Sequence, residues 1–550
     1  MKRYISAIAL ALSLILAITL FAGCSSMKHR AYEPAPDYSN SNPAYNAPAP
    51  APAPAHAPAP PPDSEAFWYP EEFLEDWRYV PFDDTEEYAT ASESPFKDVR
   101  TSPLSTFSAS VDTASYSNMR RCINQGIKPV GVRIEELVNY FDYAYPAPKP
   151  GDEHPFSITA EVGVCPWAKD HMLAMIGIQG ASLKNTIDIA NNIVFLIDVS
   201  GSMNEYNKLP LVIESMKLML GQLSENDRIS IVTYAGSDRI VADSVPGSER
   251  HRLAQLIGNL SAGGSTAGAR GLSTAYELAA KNYIVGGNNR IILATDGDFN
   301  VGISSVDALT RMIESERERG IFISVLGFGM DNLKDNMMEA IASNGNGNYA
   351  YIDTIQEAKK VLVDEFDSTM FVIAKDVKLQ VEFNPETISA YRLIGYDTRR
   401  LENEDFNDDL KDAGDIGSGH TVTAFYELIP SGAMGTGLAV DPLKYSNTVT
   451  TGSDEFMTVK VRYKEPNGYD SRLVEQIVGP DSLSRRGSDN FTFASAVAEF
   501  GLIVTDSSYA GTSSLRGIVS RAGDALGADT YGLRAEFLEL VNQYSGIVNW

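Results

Sequence analysis

Ile193-Val194-Phe195-Leu196-Ile197-Asp198-Val199-Ser200-Gly201-Ser202-Met203 is the stretch whose reading decides the fold. Five apolar residues in a row suit a strand buried on both faces, as in a parallel sheet covered by helices. The run ends in one carboxylate and two hydroxyls at alternate positions, Asp-x-Ser-x-Ser. Hard oxygens at the carboxyl end of a strand, where open α/β sheets bind ligands, suit a hard divalent cation. The competing reading is a polar turn that closes the strand and caps the next helix. Later loops decide between the two.

Outward from this strand the pattern alternates. Ile229–Thr233, Ile291–Thr295, Ile321–Leu326 and Tyr349–Ile352 read as further strands. Between them lie helical repeats: Val212, Met216, Met219 and Leu223; Leu253, Leu256, Ile257 and Leu260; Val306, Leu309, Met312 and Ile313. Thr354-Ile355-Gln356-Glu357 has the spacing of a capping box opening one more helix. Such alternation implies a Rossmann-like α/β domain, a mainly parallel sheet with helices on both faces, over residues 191–370.

Both flanks switch to a period of two. Phe156, Ile158, Ala160 and Val162, then Ala174, Ile176 and Ile178, precede the α/β segment; Val377, Leu379, Val381 and Phe383, Val422 to Leu428, and Met457 to Tyr463 follow it. Neither set of strands is large enough to close a core alone. The expectation is one β-sandwich assembled from both flanks, with the α/β domain inserted between its halves. Tyr116, Met119 and Ile123, ended by Gly126, and then Ile134, Leu137, Val138 and Phe141 read as two helices before the strands. Phe493 to Phe500 and Leu533 to Tyr544 predict C-terminal helices. The segments are therefore 96–190 (an α+β module), 191–370, 371–488 (β-rich) and 489–550 (helical).

Two later loops complete the opening motif. Gly263-Gly264-Ser265-Thr266 lies between two helical repeats, and Thr295-Asp296-Gly297-Asp298 directly follows a strand. In order, spacing and intervening elements the three loops resemble the metal-ion-dependent adhesion site of von Willebrand factor type A (VWA) domains. The flanking stretches Asp112-Thr113-Ala114-Ser115-Tyr116, Ile394-Gly395-Tyr396 and Gly414-Asp415-Ile416-Gly417 look like those of bacterial VWA lipoproteins. The resemblance implies Ser200, Ser202 and Thr266 as hydroxyl ligands, with Asp198 and Asp296 acting through bound water. It implies Mg²⁺ or Mn²⁺ as the ion, and a protein partner presenting Asp or Glu to it. Asp298 has two readings, a group supporting the ligands from behind or a turn carboxylate, and the turn carboxylate is preferred.

The N-terminus gives an address. Lys2 and Arg3, an apolar run from Ile5 to Phe21 and then Ala22-Gly23-Cys24 make a secretory signal over residues 1–23. At about 17 residues the run is short for a bilayer span. The stretch before Cys24 resembles a bacterial lipobox, which implies lipidation of Cys24 as the membrane anchor and, with Ser25 following, favours the outer membrane. Residues 24–95 read as a linker: Ala-Pro repeats that favour extended polyproline II, then an acidic stretch with interspersed aromatics. The balance of 45 basic against 72 acidic residues, net -27, argues against nucleic-acid binding. Cys122 and Cys165 have two readings, a disulfide in an oxidising compartment or two small buried apolar residues.

The six histidines show no zinc spacing, and no Ser, Cys or His stands in a recognisable nucleophile setting. Asp405, Asn407 and Asp409 begin like a calcium loop, but Leu410 replaces the turn glycine and Ile416 the bidentate Glu. The expectation is a non-enzymatic, lipid-anchored envelope protein that binds a protein partner through a divalent cation. A metal-dependent hydrolase, or a structural envelope component with an unused metal site, are the alternatives.

Overall fold

In the structure, a computed structural model that describes residues 93–548 apart from 110–111, 150, 184–188, 266–267, 298–305, 330–333, 412, 434–450, 467 and 469, the alternation read from the sequence resolves into three sheets. The N-terminal flank gives strands β1 (Lys97–Asp98) and β2 (Leu104–Ser108), helices α1 (Ala114–Asn124) and α2 (Ile134–Val138), then β3 (Phe156–Val164) and β4 (Met172–Gly180). The α/β segment follows: β5 (Asn191–Asp198), α3 (Leu209–Leu220), β6 (Arg228–Tyr234), β7 (Asp238–Pro246), α4 (Arg250–Gly258), α5 (Gly268–Lys281) and β8 (Asn288–Thr295). It continues through α6 (Val306–Glu318), β9 (Ile321–Phe328), α7 (Asp335–Asn344), β10 (Tyr349–Ile352), α8 (Ile355–Lys359) and α9 (Phe366–Met370). The C-terminal flank comprises β11 (Val372–Phe383), β12 (Ile388–Ile394), β13 (Arg400–Leu401), β14 (Gly414–Gly417), β15 (Thr421–Pro430), β16 (Met457–Lys464) and β17 (Ser471–Val478). Helices α10 (Asp489–Val504), α11 (Leu515–Asp524) and α12 (Leu533–Ile547) close the described chain.

The central sheet runs β10-β9-β8-β5-β6-β7, parallel except for the β6–β7 pair. Every residue of β5 and β8 is buried, as the apolar runs require. Ile193, Phe195 and Ile197 face a core shared with α3 and α4, while Val194 and Leu196 face the opposite core with α5. From β5 the chain winds one way to β6, and from β8 it winds the other way to β9. The carboxyl ends of β5 and β8 therefore flank the switch point of the sheet, where the diverging connections open a crevice. Asp198 ends β5 and Asp296 directly follows β8.

The flanks build a two-sheet sandwich together. One sheet runs β1-β12-β15-β4-β3 and the other β13-β2-β11-β16-β17, with β14 on β11. Phe107 of β2 sits opposite Leu379 of β11, and Ile176 of β4 opposite Ala424 of β15, so neither sheet closes without strands from both sides of the insert. Strand β4 is buried on two faces. Ala174, Ile176 and Ile178 enter the sandwich core, while Leu173 and Met175 meet a helical layer. That layer joins α1 and α2 to α10, α11 and α12 around Tyr116, Tyr140, Phe141, Phe493 and Phe537. Helix α1 ends as the sequence predicts: Gly126 takes φ +71°, and Ile127 N–H reaches back to the Cys122 carbonyl at 2.9 Å.

Buried ion pairs join the insert to its surroundings. Arg120 of α1 binds Asp353 at 2.5 Å, Glu357 at 2.7 Å and Glu536 at 3.2 Å, tying α1 to α8 and α12. Arg133 binds Glu136 and, at 2.7 Å, Asp335; Arg399 binds Asp112 at 2.7 Å and Glu339 at 2.9 Å. Thr354 Oγ1 accepts the Glu357 N–H at 3.2 Å, as the capping spacing predicts.

The disulfide reading of Cys122 and Cys165 is not realised: both are buried, and they are not bonded to each other. Cys122 packs within α1, while Cys165 lies in the turn after β3, where burial, aided by the Glu427 charge, pushes its pKa up to about 12. The apolar reading of each cysteine prevails. Among the described residues no helix is long and apolar enough to cross a membrane. Cys24 and the 24–95 linker fall outside the described residues, save for the last few linker positions.

Candidate metal centre

The abrupt change from apolar to polar at Asp198 places a carboxylate at the crevice with no exposed surface. Its Oδ1 accepts the Ser200 N–H at 2.8 Å, which folds the loop back on the strand end. Ser200 is extended (φ -60°, ψ 167°) and leads into a 3₁₀ turn, Gly201–Asn204, pinned by fully buried Met203. This turn brings the two hydroxyls together, with Ser200 Oγ and Ser202 Oγ 3.0 Å apart. Ser200 is buried and Ser202 exposed, so the pair runs from the crevice floor to solvent.

The second loop is stitched to the first by backbone. Gly201 N–H donates to Gly264 O at 3.0 Å, and Gly263 N–H donates to Val199 O at 2.8 Å. Gly264 has φ +91°, a conformation that a side chain resists, which explains the glycine directly before Ser265. Thr266 itself lies outside the described residues, as does Asp298. On the third loop, Gly297 takes φ +101° and its N–H bonds Thr295 Oγ1 at 3.2 Å, turning the chain sharply after Asp296. The structure thus brings Asp198, Ser200, Ser202 and Asp296 to one crevice. It shows the backbone of the Thr266 loop anchored beside them.

Electrostatics mark the same place. Burial, chiefly, pushes the Asp198 carboxyl up to about 6; the Ser200 hydrogen bonds oppose this and the Asp296 charge adds to it. Asp198 Oδ2 is buried and, among the described residues, accepts no hydrogen bond of ordinary geometry, although the Tyr234 hydroxyl is near enough to lower the pKa. A buried carboxylate oxygen left in this state is costly unless something else satisfies it. Two acidic groups with two hydroxyls match the hard, largely neutral donor set that Mg²⁺ or Mn²⁺ accepts, so the residues fit such an ion. Among the described residues no three His, Cys, Asp or Glu side chains gather as a metal cage. A site built on hydroxyls does not need one.

Two residues here were not read from the sequence. Tyr234 ends β6 and looks like an ordinary strand aromatic. Lys208 precedes α3 and places its ammonium 3.2 Å from Asp296 Oδ2, both groups buried. Nothing in a polar loop before an apolar helix singles it out.

The comparisons with known proteins agree with this architecture. The von Willebrand factor type A domain family matches residues 192–364, the family described as von Willebrand factor matches residues 82–175, and the family described as Uncharacterized protein YfbK, C-terminal, matches residues 368–547. The chain is 42% identical over 479 residues to the Escherichia coli protein described as Uncharacterized protein YfbK, covering 84% of this chain and 82% of that one. It is 28% identical over 198 residues to Uncharacterized protein sll0103 of Synechocystis, covering 36% of this chain and 45% of that one. Among solved structures, a von Willebrand factor type A protein from Catenulispora acidiphila aligns over 70% of this chain and 90% of that one, with 16% identity and a TM-score of 0.40. With its VWA domain set between matched flanks, the chain belongs to the family of the Escherichia coli protein YfbK.

Proposed function

We propose that this chain is a lipid-anchored envelope protein that binds a protein partner through a divalent cation, Mg²⁺ or Mn²⁺, held at the carboxyl end of its central sheet. A VWA domain suggests protein interaction or adhesion in general terms. The observation that carries the finer reading is Asp198, buried beside the paired hydroxyls of Ser200 and Ser202, with an oxygen to which no described residue donates in ordinary geometry. In this reading the two serines and Thr266 hold the ion directly, and Asp198 and Asp296 hold it through water. When bound, the ion offers a Lewis-acidic position to a carboxylate arriving from outside. The site is read as one of binding, not of turnover.

Exposure favours the same assignment. The crevice floor is buried, whereas Ser202, Asn204, Glu205 and Ser265 are exposed at its mouth, and the Tyr206 ring is 55% exposed beside them. A partner's acidic side chain would enter from this side.

The test is crosslinking capture from intact envelopes in Mg²⁺ and in chelator, using the native chain and Asp198→Ala. Capture of a protein that requires both the ion and Asp198 supports the proposal. Capture that survives chelator and the substitution equally would assign partner binding to another surface.

A further inference from the structure

Lys208 is not an ordinary surface lysine. It is 4% exposed, and its backbone N–H bonds Glu205 O at 3.0 Å where α3 begins. Its aliphatic stem runs beneath Gly329, at the end of β9, where a Cβ would lie 2.4 Å from Lys208 Cε. Gly329 has φ +81°, and its carbonyl accepts the Tyr351 hydroxyl at 2.6 Å, so this roof over the stem is itself held in place. The stem leads the ammonium into the crevice, where it donates to Asp296 Oδ2 at 3.2 Å. Asp296 has no exposed surface. Three elements distant in sequence thus converge to place one fixed positive charge at the candidate metal centre.

We propose that Lys208 is a resident counter-cation of this site, neutralising Asp296, weakening the site's hold on the divalent ion and leaving the loaded site positively charged toward an acidic partner. The inference rests on the metal reading proposed above and goes beyond it by assigning the charge balance of the site to a residue outside the ligand set. Counting the described residues alone, the two carboxylates of Asp198 and Asp296 and one divalent ion would sum to zero without Lys208. With it, one net positive charge remains, in a crevice where little water screens it. An arriving cation must also share Asp296 with the ammonium, which lowers affinity. The same ammonium keeps Asp296 paired while the ion is away, so the empty site stays folded. Lys208 acts on the ion through Asp296 and is a positioning residue.

The test is calorimetric titration of the full chain in detergent with Mg²⁺ alone and with Mn²⁺ alone. It compares the native protein with Lys208→Met, which keeps the apolar stem, and with Lys208→Gln, should the Met variant fail to fold. The expected result is a double signature: the variant melts at a lower temperature than the native chain in chelator, yet binds the ion at least tenfold more tightly. A merely structural lysine would lower the melting temperature without tightening the ion. A folded variant that binds the ion equally or more weakly overturns the inference while leaving the metal reading intact. Absence of binding by native chain and variants alike overturns the metal reading, and this inference with it.

Discussion

Replacing Arg120 with Met removes the cation that joins α1, α8 and α12 while keeping much of the apolar stem. The Arg120 side chain is 4% exposed, and its partners Asp353 and Glu357 are 6% and 0% exposed. Glu536 is 36% exposed, so water screens it and it adds little. The loss strands two buried carboxylates side by side, Glu357 keeping the Tyr140 hydroxyl at 2.7 Å and Asp353 the Thr354 hydroxyl at 3.3 Å. Breaking a buried pair by removing one partner costs about 3–5 kcal/mol. With two carboxylates stranded, the upper half of that range is expected at pH 7.5. Burial already raises the Asp353 pKa, so lowering the pH to 5.5 favours its protonated form once Arg120 is gone, and the cost shrinks. Adding Glu357→Gln to Arg120→Met should restore about 1–2 kcal/mol by removing one charge. Urea unfolding of the three proteins at both pH values measures this. A loss below about 1 kcal/mol, or a loss that does not change with pH, would refute the assignment of Arg120 as the electrostatic clasp of the insert.

Two further outcomes follow from the buried side chains. Because Cys122 and Cys165 are not bonded to each other, a reductant should leave the melting temperature unchanged, and thiol labelling after unfolding should count both; a reductant-induced drop would contradict the structure. Burial, with the Lys360 charge adding to it, pushes the His420 pKa down to about 4. The unfolded chain then takes up a proton near pH 6.5 that the folded chain refuses. The stability from a neutral His420 is thus full above pH 6.5 and disappears as pH falls toward 4, amounting to about 2–3 kcal/mol. Relative to His420→Gln, the native protein should lose that amount between pH 7 and pH 4, as read by urea unfolding; parallel curves would exclude it.

Much of the α/β domain was legible because its central strands are buried on both faces, and a run such as Ile193–Ile197 has few other uses. The place of the candidate site could be read for a related reason: a carboxylate and two hydroxyls break that run at the strand's carboxyl end. The sandwich could be anticipated by counting, since neither flank holds enough strands to close a sheet. What escaped are elements whose signal is shared with distant partners. Strand β7 (Asp238–Pro246) is an edge carrying Asp238, Arg239 and Asp243, so its sequence reads as a loop. Helix α7 opens with Asp335 and Asn336 and is only ten residues long, its buried Met338, Ile341 and Ala342 sharing a core with β9. The joining of α1 and α2 to α10, α11 and α12 depends on pairs such as Phe141 with Phe493, at 5.0 Å between ring centroids, that no local period encodes. Lys208 escaped for the same reason, because its role is defined by Gly329 and Asp296.

The account stands most directly on whether the native chain binds a divalent cation at Asp198. Thermal unfolding in chelator and in rising Mg²⁺ or Mn²⁺ measures this, since an ion that binds only the folded state stabilises it by about 2.7 kcal/mol at one hundred times its dissociation constant. The account predicts a concentration-dependent rise in melting temperature for the native chain that Asp198→Ala abolishes. An identical response of both proteins to the ion would contradict it.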